Sequence, residues 1–97
     1  MDSFTLPAFG NLITQNDIKS SQLRVTVDFK KYFPDRNATL IFSFDNKKYN
    51  VNFTNRAQRS HVLRFNSSLW GKLGIKAGDQ VRITKTQAGE YSIVVVD

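Results

Sequence analysis

The sequence predicts a mainly β fold: seven short strands closing, or nearly closing, into a barrel, with two short helices at its ends. Three observations carry this. Apolar and polar residues alternate at period two in several short runs, the pattern of a strand with one wall in a core. Turn-forming residues, at Asp45-Asn46, Ala77-Gly78-Asp79 and Gln87-Ala88-Gly89, punctuate those runs. Only two stretches place apolar residues at helical spacing, and each is short. Closing the sheet also removes the open edges that separate strands would expose.

In chain order, Pro7 and Gly10 interrupt the opening residues and leave a short strand near Phe4–Leu6. Ile13–Gln22, ITQNDIKSSQ, is polar and turn-rich, and Ser20-Ser21 pulls it away from regular structure. LRVTV alternates, with Leu23, Val25 and Val27 inward and Arg24 and Thr26 outward. Asp28 is a good N-cap, and Phe29, Tyr32 and Phe33 follow at helical spacing until Pro34 stops the turn. The first short helix is therefore Asp28–Phe33, with Lys30 and Lys31 on its wet side.

ATLIFSF puts Leu40, Phe42 and Phe44 on one face, and Asp45-Asn46 turns it into a strand whose Tyr49, Val51 and Phe53 point inward. Leu63 and Phe65 share the core face of the next strand. NSSLWGKLG then offers a Ser or Asn cap, Leu69, Trp70 and Leu73 at helical spacing, and Gly74 as a C-terminal stop. Trp70 belongs to the core there. Val81 and Ile83 face inward in QVRITK, and the closing EYSIVVV, apolar on both faces near its end, belongs in a central position.

Ninety-seven residues make one domain, long enough for a single modest core. Without cysteine there is no disulfide framework and no thiolate metal site, so an intracellular compartment is the expectation. The opening MDSFTLPAF does not read as a signal peptide, and no apolar run approaches membrane-spanning length. No membrane partner and no cofactor are called for. Net charge is +6, and its placement says more than its size. All fourteen Lys and Arg fall between Lys19 and Lys85 with only four of the eight acids, a surplus of ten. Such a domain suits a polyanion bound by counterion release.

The most informative stretch joins the two strands around Tyr49 and Phe65. Its connection, TNRAQRS, has two arginines, a glutamine and an asparagine, and no acid. A plain hairpin needs only two to five residues, often with Gly. This one is longer, lacks Gly, and carries side chains that bond bidentately to base edges. Arg56 and Arg59 suit guanine O6 and N7, while Asn55 and Gln58 suit adenine N6 and N7. A solvated loop is the plainer alternative.

Several pieces together resemble the B3 DNA-binding domains of plant transcription factors and of some bacterial restriction endonucleases. Ile13–Asp17 (ITQND) is similar to the family's LTxSD, LRVTV to its second strand, and Phe29–Pro34 (FKKYFP) to AExxFP. Thr54–Phe65 (TNRAQRSHVLRF), Trp70 and Leu73–Ile83 (LGIKAGDQVRI) follow its NSSxSYVLxxGW…LxxGDxVxF in order and spacing. The likeness spans roughly residues 12 to 85. It implies a seven-stranded open pseudobarrel with two short helices, binding double-stranded DNA in the major groove between two arms. By position the first arm is Thr14–Gln22 and the second Thr54–Ser60.

The resemblance implies base or phosphate contacts from Gln15, Asn16, Lys19, Ser20, Ser21 and Gln22, and from Asn55, Arg56, Gln58, Arg59 and Ser60. Arg24 lies nearest to the plant arginine that precedes the second strand. The Pro-Lys that follows it in plants is missing, and Tyr49 or Val51 stands where the fourth strand carries Trp. These departures favour the restriction-enzyme branch, with a nuclease domain fused to or associated with this chain. The compartment is then the cytoplasm of a bacterium; a plant transcription factor would be nuclear.

Lys30, Lys31, Arg64 and Lys72 are candidate phosphate contacts, which position a protein without reading sequence. Lys47 and Lys48 serve to solubilise a turn. His61, the only histidine, reads as a half-buried strand end touching DNA, since catalysis needs a partnered base in a site and metal needs more ligands than one imidazole. Pro34-Asp35 with Asp45-Asn46-Lys47 mimics the Pro-Asp…Asp-x-Lys pattern by which a nuclease class holds Mg²⁺. That class needs a larger α/β core, and a hairpin turn is the better reading of Asp45-Asn46. The domain is therefore expected to be non-catalytic. One alternative of another class stays open: residues 73–96 also resemble swapped-hairpin antitoxin folds and barrel adaptors, which would make this a protein-interaction or dimerisation module.

Overall fold

The computed structural model describes residues 2–7, 12–25, 27–55 and 61–96. Seven strands form one sheet: β1 (Asp2–Leu6), β2 (Gln22–Val25), β3 (Ala38–Phe44), β4 (Lys47–Thr54), β5 (His61–Phe65), β6 (Gln80–Gln87) and β7 (Glu90–Val96). Two α-helices, α1 (Gln15–Ser20) and α2 (Ser67–Leu73), and a 3₁₀ helix, Val27–Tyr32, connect them. The strand order is β1-β6-β7-β3-β4-β5-β2, and every ladder is antiparallel except the one between β3 and β7. The two outer strands, β1 and β2, approach each other without pairing, so the sheet is a nearly closed barrel.

The alternation read from the sequence sets the core. Leu6, Val25, Phe42, Val51, Leu63, Val81 and Ile83 are fully enclosed, each from the inward register of its strand. Asp45 and Asn46 both take left-handed backbone (φ 52° and 63°), the geometry of the tight turn that hands β3 to β4. β7 is central, between β6 and β3. Its ladder with β3 covers only Ile41↔Glu90, Phe42↔Tyr91 and Ser43↔Ser92, and Val94 beyond it is exposed.

α2 follows its sequence signals closely. The Asn66 side chain accepts from the Leu69 N–H at 2.8 Å, Leu69, Trp70 and Leu73 are buried, and Gly74 caps the end with φ 64°. The expected helix Asp28–Phe33 is instead a 3₁₀ helix one residue earlier, because Pro34 leaves too few residues for a second α-turn. Its aromatic residues plug one end of the barrel. Phe33 stacks between Phe53 and Tyr91, each ring centroid 5.1 Å away, while Phe4 lies 4.8 Å from Tyr32 and 5.0 Å from Phe29. The Tyr91 hydroxyl donates to the Tyr32 carbonyl and locks the plug to β7. Burial away from water pushes the Tyr91 phenol up to about 12.

The segment Ile13–Gln22 departs from expectation. It is a helix, not an irregular turn, held by a capping box: the Thr14 hydroxyl accepts from the Asp17 N–H at 3.2 Å and an Asp17 carboxylate oxygen accepts from the Thr14 N–H at 3.0 Å. β2 is correspondingly offset, running Gln22–Val25 where the alternation suggested Leu23–Val27.

Candidate nucleic-acid interface

The placement of both arms follows from one short ladder. β2 pairs with β5 from Gln22↔Arg64 to Val25↔His61. The first arm enters this ladder at Gln22, and the second leaves β4 at Thr54 and re-enters at His61. The roots therefore sit at opposite ends of the same four residue pairs, three strand steps or about 10 Å apart. A B-form major groove is about 12 Å wide.

Between the roots lies the outer face of β2, β5, β4 and β3. Strand alternation puts Gln22, Arg24, Arg64, Asn50, Asn52, Thr54 and Thr39 there, opposite the core residues, together with two apolar residues, the half-buried Ile41 and the buried Val62. Asn52 stands directly across from Arg64, and Arg64 across from Gln22. An Arg64 guanidinium nitrogen donates to the Gln22 side-chain oxygen, and the Thr39 hydroxyl to that of Asn52, both at 3.4 Å. Among the described residues of this face there is no Asp or Glu. The result is a mostly polar, cationic floor of donors and acceptors around Val62 and Ile41.

The first arm is α1 and its flanks. Gln15, Asn16, Lys19 and Ser20 are exposed, Ser21 and Gln22 half-buried, and Asp17 faces inward, 6% exposed. The second Asp17 oxygen lies 3.8 Å from the Arg24 guanidinium, so the arm is tied to the floor beside it. Ser21, in left-handed backbone at φ 50°, passes its carbonyl to the Phe65 N–H at 2.8 Å and extends the ladder by one bond. The far root is fixed as well. Ile13 donates to the Asp79 carbonyl at 2.9 Å and accepts from the Gly78 N–H at 2.8 Å.

In the second arm, Thr54 and Asn55 are half-buried, and the Asn55 N–H donates to the Asn37 side-chain oxygen at 2.8 Å. Arg56, Gln58, Arg59 and Ser60 lie outside the described residues. His61, 6% exposed, stacks on Phe53 with ring centroids 5.4 Å apart and 9° between planes. The expectation of a half-buried ring touching DNA is therefore corrected: His61 lies on the inward face of β5 with Leu63 and Phe65 and packs as part of the barrel wall.

The four candidate phosphate contacts are not equivalent. Arg64 is central on the floor. Lys31 is exposed, with its ammonium 5.3 Å from the Tyr32 ring, and Lys30 beside it is half-buried on the 3₁₀ helix that follows β2. Lys72 is exposed in the last turn of α2, where it also complements that helix's dipole. Lys48, assigned only a solubilising role, pairs with Glu90 at 3.3 Å across the outer surface.

Sequence reading missed the floor residues Thr39, Asn50 and Asn52 and the brace Asn37, and took Thr54 only as the start of the second arm. The signal was present in β4, whose outward positions Lys48, Asn50, Asn52 and Thr54 hold no acid. Asp45, half of the nuclease-like pattern, is in the hairpin turn, and among the described residues no three metal-ligating side chains gather. No helix among them is long and apolar enough to cross a membrane.

No protein-family model matches the sequence, and no curated protein matches it significantly. The solved structures do define its class: the fold is a B3-like pseudobarrel. The N-terminal domain of Helicobacter pylori LlaJI.R1 matches with a TM-score of 0.72 at 11% identity, over 100% of this chain and 82% of that one. Arabidopsis FUS3, solved as a complex with DNA, matches with a TM-score of 0.67 at 11% identity, over 97% and 95%.

Proposed function

We propose that this chain binds double-stranded DNA sequence-specifically, taking the major groove between its two arms and laying it on the acid-free floor. The observation that carries the reading is the β2–β5 ladder, which holds two arm roots about a groove's width apart on one cationic face. Gln15, Asn16, Lys19, Ser20, Ser21, Gln22 and Arg24 approach from one side. Asn55, Arg56, Gln58, Arg59 and Ser60 approach from the other, while Lys30, Lys31, Arg64 and Lys72 contact phosphates. Residues 1–97 act as one recognition unit without catalysis of their own. Its place is as the target-recognition or effector-binding domain of a restriction endonuclease whose nuclease domain lies outside these residues. The departures from the plant pattern and the likeness to a Helicobacter pylori domain support that branch. The likeness to FUS3 in its DNA complex supports the second reading, a transcription-factor domain.

Selection of bound duplexes from a random pool, at two salt concentrations, tests this. A defined site should be enriched, and Arg56→Ala/Arg59→Ala should lose discrimination by about 1–3 kcal/mol for each bidentate contact removed. Absence of binding at low salt, or equal affinity for selected and scrambled duplexes, would overturn the proposal.

A further inference from the structure

We propose that Asn37 is the positioning residue of the second arm, an inference that rests on the DNA-binding reading above. β4 ends at Thr54, whose register partner across the ladder is Val62. Asn55 is therefore the first residue of the arm beyond the ladder. Its N–H is taken instead by the Asn37 side-chain oxygen, at 2.8 Å. That acceptor is itself mounted at both ends. Four residues before it, Phe33 is 6% exposed in the stack with Phe53 and Tyr91; one residue after it, Ala38 pairs with Phe53 in β3–β4. The link from Phe33 to Ala38 thus carries the geometry of the barrel plug to the point where the arm emerges. A contact to a base edge depends on direction as well as charge, so fixing the first arm peptide sets the direction in which the chain leaves the barrel.

The same bond explains why a small polar residue stands at 37. An apolar side chain there would leave the Asn55 N–H to water, and the arm's exit would be set by the chain's torsions alone. Aspartate would keep the acceptor and add a charge.

Asn37→Ala and Asn37→Asp separate positioning from general stability. Their readout is the ratio of affinities for the selected and a scrambled duplex, taken from the same titrations as the salt slope. In Asn37→Ala the ratio should fall about threefold to tenfold, while scrambled-duplex binding and the salt slope stay at wild-type values and the melting temperature drops by no more than a few degrees for the one exposed bond lost. Asn37→Asp weakens both affinities by its charge but should restore their ratio. Exchange of the Asn55 amide, followed by NMR without DNA, should quicken in Asn37→Ala and not in Asn37→Asp. A ratio unchanged in Asn37→Ala, or a loss that Asn37→Asp does not repair, overturns the inference while leaving DNA binding intact. If the wild type itself has no duplex preference, the functional reading fails, and the inference with it.

Discussion

Asn52→Asp separates folding from DNA binding because the two should respond with opposite signs. Asn52 is exposed, so an isosteric acid costs nothing in packing. Its cross-strand partner is Arg64, and the Thr39 hydroxyl still has an oxygen to donate to. An opposite-charge pair directly across an antiparallel ladder contributes about 0.2–1 kcal/mol, so the melting temperature should hold or rise by a few degrees. For the duplex the same change is unfavourable twice over. It places an acid on the floor and engages the guanidinium that faced the groove. One like-charge pair about 7 Å apart costs about 0.6–2.4 kcal/mol for an effective dielectric of about 80 down to 20, or about threefold to fiftyfold in affinity. Losing Arg64 as a phosphate contact should also flatten the salt dependence by about 0.9 in slope. Fluorescence anisotropy at two salt concentrations reads both numbers. Ala88→Glu, the same change in net charge in the exposed β6–β7 turn, is the control. Wild-type binding by Asn52→Asp, or an equal loss in Ala88→Glu, would refute the assignment of this face.

Three further perturbations test the scaffold. Phe33→Ala removes the ring between Phe53 and Tyr91 and should lower stability by about 3–5 kcal/mol in urea unfolding. Asn66→Ala removes the α2 cap, with an expected loss of about 1 kcal/mol in the same assay. Tyr91 gives an alkaline signature. With its phenol raised to about 12, the unfolded chain releases this proton from about pH 10 while the folded chain keeps it, so stability is full below pH 10 and falls as pH rises toward 12. The total is about 2–3 kcal/mol. Tyr91→Phe should start slightly less stable for want of the bond to Tyr32, and the gap from wild type should close and then reverse as the pH is raised, because the loss through titration exceeds the worth of one hydrogen bond.

The strands were legible because each has one wall in the core, and alternation reports exactly that kind of asymmetry. The β3–β4 hairpin could be read down to its turn, since Asp45-Asn46 is a pair that tolerates left-handed backbone at both positions. α2 was equally plain from Asn66 at one end and Gly74 at the other. α1 was not, for a physical reason. The residues it turns inward are Asp17, a carboxylate satisfied by the Thr14 N–H and neighboured by Arg24, and the half-buried Ile18, and one apolar side chain makes no stripe. The floor was half visible. Alternation told that Asn50 and Asn52 point out, but what they point toward depends on β5 lying next to β4 and β2 next to β5. That register is a long-range property, and local pattern does not encode it. Asn37 was hidden for the same reason, its bond reaching across eighteen positions to Asn55.

The brief parallel seam between β3 and β7 has a mechanical consequence. Along the sheet itself, three residue pairs, the Ile41 N–H on the Gly89 carbonyl and the Lys48–Glu90 ion pair fasten one half-sheet, β1-β6-β7, to the other, β3-β4-β5-β2, while the shared core, the aromatic plug and the Ile13 bonds to Gly78 and Asp79 join them elsewhere. The molecule should loosen like a book at its spine, with amides along the seam exchanging with solvent before those inside either cover. The cover that holds both jaws would keep their spacing even while the spine yields.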